Sequence, residues 1–111
     1  MKKILVPIDF SKISINALNY AVQLAKRSGA RIQLLHVCFA PGTIPSNTLI
    51  ELPSANQLIH EGLEDLEKLK RKIVKRHEEL TIDCKCVNGF PVEEISLFAQ
   101  KYKPDLIVMG T

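Results

Sequence analysis

No apolar run in this sequence approaches the roughly 20 residues that a membrane span needs. The start, MKKILVPID, carries two lysines, but an aspartate cuts its apolar stretch short of a signal peptide's core. Nor is there a disulfide framework. Cys38, Cys84 and Cys86 are odd in number and lack paired spacing, which argues against a secreted, stapled domain and places the protein in the cytoplasm. Their spacing also lacks the C-x-x-C pattern of a zinc site, so no metal is expected at them. Cys84 and Cys86 read instead as small apolar side chains on one face of a strand. An excess of either charge is missing too. The net charge is +3, with acids and bases interspersed, which gives no reason to expect a nucleic-acid partner or a membrane surface. Finally, no Ser-His-Asp or Cys-His arrangement stands out, so strong catalysis is not expected.

What is present is an ordered series of strand and helix signals in 111 residues, the length of one domain. The run ILVPI at 4–8 is apolar without alternation, as in a strand buried on both faces. Pro7 suits a ladder that is ending, and Asp9 falls at the strand's carboxyl end, where it either caps the next turn or meets a ligand. Serines at 11 and 14 offer a cap for a helix over 14–28, closed by Gly29. RIQLLHVC at 31–38 is a second strand, and its His36 reads as a packed, hydrogen-bonded histidine. Residues 39–53 form a long irregular segment with three prolines after Phe39, a length typical of mobile or functional loops. The spacing predicts an amphipathic helix over 54–80, acidic first and then basic from Lys68 to Arg76. That basic run reads as a solvated face suited to the helix dipole. TIDCKCVN at 81–88 alternates like an edge strand. A helix starting at Pro91, with Val92, Ile95, Ala99 and Tyr102 as its buried stripe, ends before Pro104, and DLIVMGT at 105–111 is a fourth apolar strand.

This order predicts an α/β fold, a parallel sheet with helices on both faces and strand order 3-2-1-4. The winding reverses between strands 1 and 4, so a ligand crevice opens beside Pro7–Asp9 and Met109–Gly110. The fourth strand has no outer neighbour and invites pairing with another chain.

The pieces ILVPIDFS at 4–11, ALNYAVQLA at 17–25, GARIQLLHV at 29–37, GFPVEEI at 89–95 and DLIVMGT at 105–111 together resemble the universal stress protein family. The resemblance covers nearly the whole chain. It implies the family's Rossmann-like fold, akin to the adenine nucleotide alpha hydrolases, with residues 1–111 as one domain that stops short of the family's fifth strand. It implies an adenine nucleotide, ATP with magnesium, as cofactor. Pro7 and Asp9 match the end of strand 1 that contacts it, Val37 the end of strand 2 beside the adenine, and Met109 and Gly110 the end of strand 4. The family's phosphate signature is G-x-x-G, nine residues, then G-[ST]. Gly110 matches its first glycine, and the continuation after Thr111 is expected to supply the rest with a fifth apolar strand.

Three functions follow. The favoured one is a cytoplasmic, nucleotide-binding stress or regulatory module, a homo-oligomer through its exposed sheet edge, with at most weak ATP hydrolysis. The alternative is an interaction module that binds no nucleotide and completes its sheet with a partner chain. An ATP-activating ligase or nucleotidyl transferase is disfavoured, because DFSKIS after the first strand holds neither glycine nor histidine to grip phosphates.

Overall fold

The structure, a computed structural model, describes residues 1–39 and 54–110. The long segment singled out at 39–53 lies outside the described residues except for Phe39. Four parallel strands, β1 (Lys3–Pro7), β2 (Arg31–Cys38), β3 (Ile82–Asn88) and β4 (Leu106–Ile107), form one sheet in the order β3-β2-β1-β4. Three helices connect them: α1 (Lys12–Ser28), α2 (Ala55–Arg76) and α3 (Pro91–Tyr102).

The continuous apolar run of β1 has the cause expected of it. Ile4, Leu5 and Val6 are fully buried, because β1 is covered on both faces and paired on both sides. Ile4, Val6 and Ile8 point one way, into a core with Leu18, Val22, Leu66 and Leu80 from the α1 and α2 side. Leu5, Leu35 and the buried Gln33 point the other way. The Gln33 amide donates to the carbonyls of Leu34 and Asp83, which removes the cost of burying it. On that second face α3 is tied to β1 at Lys3, whose ammonium donates to the Tyr102 carbonyl and lies 4.9 Å from the centre of the Tyr102 ring.

Four expectations need correction. Helix α1 begins at Lys12 rather than 14, because Ser11 is its cap: the Ser11 hydroxyl accepts from the Ser14 amide. Helix α2 ends at Arg76, not 80. His77 leaves helical geometry, a turn bonds the Leu80 amide to the His77 carbonyl, and Leu80 swings into the core from that turn. Its apolar character therefore extended the helical pattern without extending the helix. Helix α3 has no fully buried residue, and Val92 is 80% exposed. At 3.6 residues per turn Val92 lies about 70° off the centre of the half-buried stripe of Ile95, Phe98, Ala99 and Tyr102. Last, β4 is laddered only over Leu106 and Ile107 rather than over 105–111, and it is half-exposed at the sheet edge, where β1 is its neighbour.

Close packing of α2 on the sheet depends on Gly62. A Cβ there would stand 2.6 Å from the Cys86 sulfur and 2.9 Å from His36 Cδ2. Gly62→Ala is expected to lower stability by about 1–3 kcal/mol through overpacking, read by urea denaturation. By contrast, the Arg31–Asp83 ion pair at 2.9 Å joins two half-exposed side chains, so Asp83→Asn should change stability by less than about 1 kcal/mol in the same assay.

Candidate functional site

The carboxyl ends of β1, β2 and β4 open into one cavity of about 320 Å³. It sits where the winding reverses, since α1 and α3 leave the sheet on opposite faces. All five residues expected at the crevice line it: Pro7, Asp9, Val37, Met109 and Gly110. Their order in space follows from the register. Pro7 pairs with Leu35, Ile8 donates its amide to the Leu35 carbonyl, and Val108 donates to the Leu5 carbonyl, so the three chain ends fan out together.

The floor on the α1 side is a network of turns. Asp9 Oδ1 accepts from the Ser11 amide at 2.9 Å, which is an Asx turn. Between them Phe10 takes a left-handed φ of 63°, uncommon for a bulky residue. Its ring lies 4.8 Å from that of His36, and His36 Nδ1 meets the Ile8 carbonyl at 2.7 Å. The carbonyl can only accept, so Nδ1 carries a proton and donates it. His36 is therefore the packed, hydrogen-bonded residue its strand position suggested. It holds the chain just before Asp9, and it is not among the residues that line the cavity.

Asp9 itself is exposed. Hydrogen bonding from Ser11, its hydroxyl first and then its amide, holds the Asp9 carboxyl below the usual carboxylate range, against a slight rise from burial. Asp9 is thus both of the things its position allowed, a turn former and a cavity wall. Because the folded-state value is the lower one, the turn stabilises the protein above the ordinary carboxylate value and loses that contribution as pH falls through the folded value. An NMR titration of the Asp9 carboxyl should show the depressed value, and Ser11→Ala should raise it toward normal.

Outside the stretch Pro7–Asp9, six further lining positions escaped the reading of the sequence as a site. Ile13 was not singled out, Ser11 and Ser14 were visible only as caps, Leu35 as a strand residue, Pro91 as a helix start and Ile95 as a packing residue. The signal for the last two was topological: a crossover that reverses direction starts its helix at the same sheet edge as the crevice. Gly110 has a specific reason to be glycine. A Cβ there would lie 2.2 Å from Ile13 Cγ2 and 2.8 Å from the Ile13 carbonyl carbon and oxygen. No group of three or more His, Cys, Asp or Glu side chains among the described residues is arranged to hold a metal ion. The three cysteines are free thiols.

A sheet of this order with a cavity at its reversal point defines a Rossmann-like α/β domain. The family model described as "Universal stress protein family" matches residues 1–111. The chain is 37% identical over 116 residues to universal stress protein MJ0531 of Methanocaldococcus jannaschii, and the match takes in 99% of this chain and 64% of that protein, so the chain spans less than two thirds of that relative's length. It is 35% identical to universal stress protein YxiE of Bacillus subtilis, covering 98% of this chain and 78% of that one. Among solved structures, a universal stress family protein from Burkholderia pseudomallei superimposes with a TM-score of 0.75 at 26% identity, over 99% of this chain and 81% of that chain. A universal stress protein in complex with cAMP gives a TM-score of 0.71 at 23% identity, over 96% of this chain and 74% of that one. The chain belongs to the universal stress protein family.

Proposed function

We propose that this protein is a universal stress protein-type module that binds an adenine nucleotide in the cavity at Pro7–Asp9 and Met109–Gly110, and that it acts in stress response or regulation without strong catalysis. The observation that carries the reading is the convergence of Pro7, Asp9, Val37, Met109 and Gly110 on one cavity at the sheet's reversal point. Two solved proteins of the same fold, the one described with cAMP and one from Arabidopsis thaliana with AMP bound, support an adenine nucleotide as the ligand class. The lining is suited to a base and a ribose. Val37, Leu35 and Ile95 are apolar, and the Asp9 carboxylate retains lone pairs beyond those that Ser11 engages. ATP with magnesium is the cofactor of this reading, and the cytoplasm, suited to its free thiols, is the compartment.

Calorimetric titration with ATP, AMP and cAMP tests it. Saturable binding of at least one, weakened several-fold in Asp9→Ala, is the expected result; heats at the level of dilution for all three would overturn it. A second reading rests on the edge of β4, where Ile107 and Met109 are 41% and 51% exposed. It has the protein pair this edge with a second copy. Sedimentation velocity should then show a dimer that Ile107→Lys dissociates.

A further inference from the structure

We infer that the groove between α1 and α2 is a docking site for an acidic amphipathic helix of a partner protein. It is separate from the cavity at the strand ends. The two share no lining residue, and the groove, with about 1040 Å³ of space, is the larger.

Its chemistry is divided by wall. Helix α1 contributes Ile15, Asn19, Val22 and Gln23, apolar side chains and neutral amides. Helix α2 contributes Leu69 and Ile73 low down, then Lys72, Lys75 and Arg76 at the rim, with His77 just past its end. Val22 belongs to the core, and Leu69 and Ile73 pack against it, so the floor is a fixed apolar surface rather than a gap between mobile side chains. Among the described residues the rim cations have no acidic partner. The ion pairs among the described residues are Arg31–Asp83 and His60–Glu64, and neither involves them. Lys72, Lys75 and Arg76 are exposed, and the last turn of α1 adds Lys26 and Arg27 toward the same end of the sheet, where both helices terminate.

This accounts for the basic run of α2 beyond its service to the helix dipole. A solvated face needs only charge, whereas here the charges stand along one side of an apolar trough. A trough between two parallel helices accepts a third helix lying on it. The charge asymmetry then specifies that helix: an apolar ridge at three- and four-residue steps, carboxylates on the flank over α2, and uncharged side chains on the flank over α1. A nucleic acid is the poorer fit, because the trough has no Phe, Tyr or Trp to stack on a base and its floor is apolar.

Three labelled peptides of about 18 residues, roughly 27 Å as helices, test this. One carries a leucine ridge with glutamates on one flank. The second replaces the glutamates by lysines, and the third keeps the glutamates but replaces the leucines by serines. The first alone should bind by fluorescence anisotropy at 150 mM salt, and amide shifts should map to residues 19–23 and 69–77. A protein carrying Lys72→Glu, Lys75→Glu and Arg76→Glu, all at exposed positions, should lose at least about tenfold in affinity for the first peptide and gain affinity for the second. Saturating ATP should leave both results unchanged. Equal binding of the first and third peptides would show charge attraction without docking. Tighter binding of a duplex oligonucleotide than of the first peptide, or no binding by any peptide at millimolar concentration, would also overturn the assignment.

Discussion

Gly110→Ala should abolish ligand binding at the strand-end cavity while leaving the protein folded. The added methyl meets Ile13 at three atoms, and two of them, the carbonyl carbon and oxygen at 2.8 Å, are backbone. A flexible side chain could turn aside, but the first turn of α1 is fixed by its Ser11 cap and by the Ser14 hydroxyl, which donates back to the Ser11 carbonyl at 2.9 Å. The end of β4 must therefore move, and little resists it, because only Leu106 and Ile107 are laddered to β1. Met109 and position 110 move with it, and the cavity loses one of its three strand ends. The expected outcome is a loss of nucleotide affinity of more than about tenfold by calorimetry, with a stability cost of about 1–3 kcal/mol by urea denaturation. Adding Ile13→Ala should restore little, since it removes the 2.2 Å contact with Cγ2 but leaves the two backbone contacts. Full recovery in that double variant would show that the side chain alone set the limit.

Leu66→Ala should give the largest loss of stability, about 2–5 kcal/mol. Leu66 is fully buried and, apart from the side-chain-less Gly62, is the one residue of α2 with so little exposure. Its side chain belongs to the core between α2 and the sheet, in one cluster with Leu34 and Ile82. A truncation there leaves a cavity that the neighbouring strands cannot close, because β2 is hydrogen-bonded on both sides. The midpoint in urea should fall at an unchanged slope. If the midpoint moves by less than the equivalent of about 1 kcal/mol, α2 is held by its rim rather than by this contact.

The parts of this molecule that were legible in its sequence are those governed by short-range pattern. Burial of β1 showed in its unbroken apolar run, and the edge position of β3 in the alternation of Ile82, Asp83, Cys84, Lys85 and Cys86. The strand order followed from placing those two strands, and with it the crevice beside Asp9 and Gly110. What escaped the sequence depends on geometry that local pattern does not carry. Leu80 obeys the helical period of α2 while lying outside the helix. Val92 is apolar and near the right phase, yet it projects into water. The left-handed Phe10 gives no sequence signal, since φ there is imposed by the Asp9 turn and the contact with His36. The contributions of Pro91 and Ile95 to the cavity wall required knowing which sheet edge α3 starts from.

The thiols of β3 supply a built-in clock for the motion of that edge. Burial first, with Glu67 nearby for Cys84 and Cys38 nearby for Cys86, pushes both thiols up to about 11. Each is then held further toward its unreactive protonated form than a free cysteine thiol. Alkylation of the buried Cys86 by a maleimide should consequently follow excursions in which α2 lifts from β3, and its rate reports how often they occur. A single mass-spectrometric time course on the unmodified protein would thereby rank how readily this edge breathes, with no probe added to the chain.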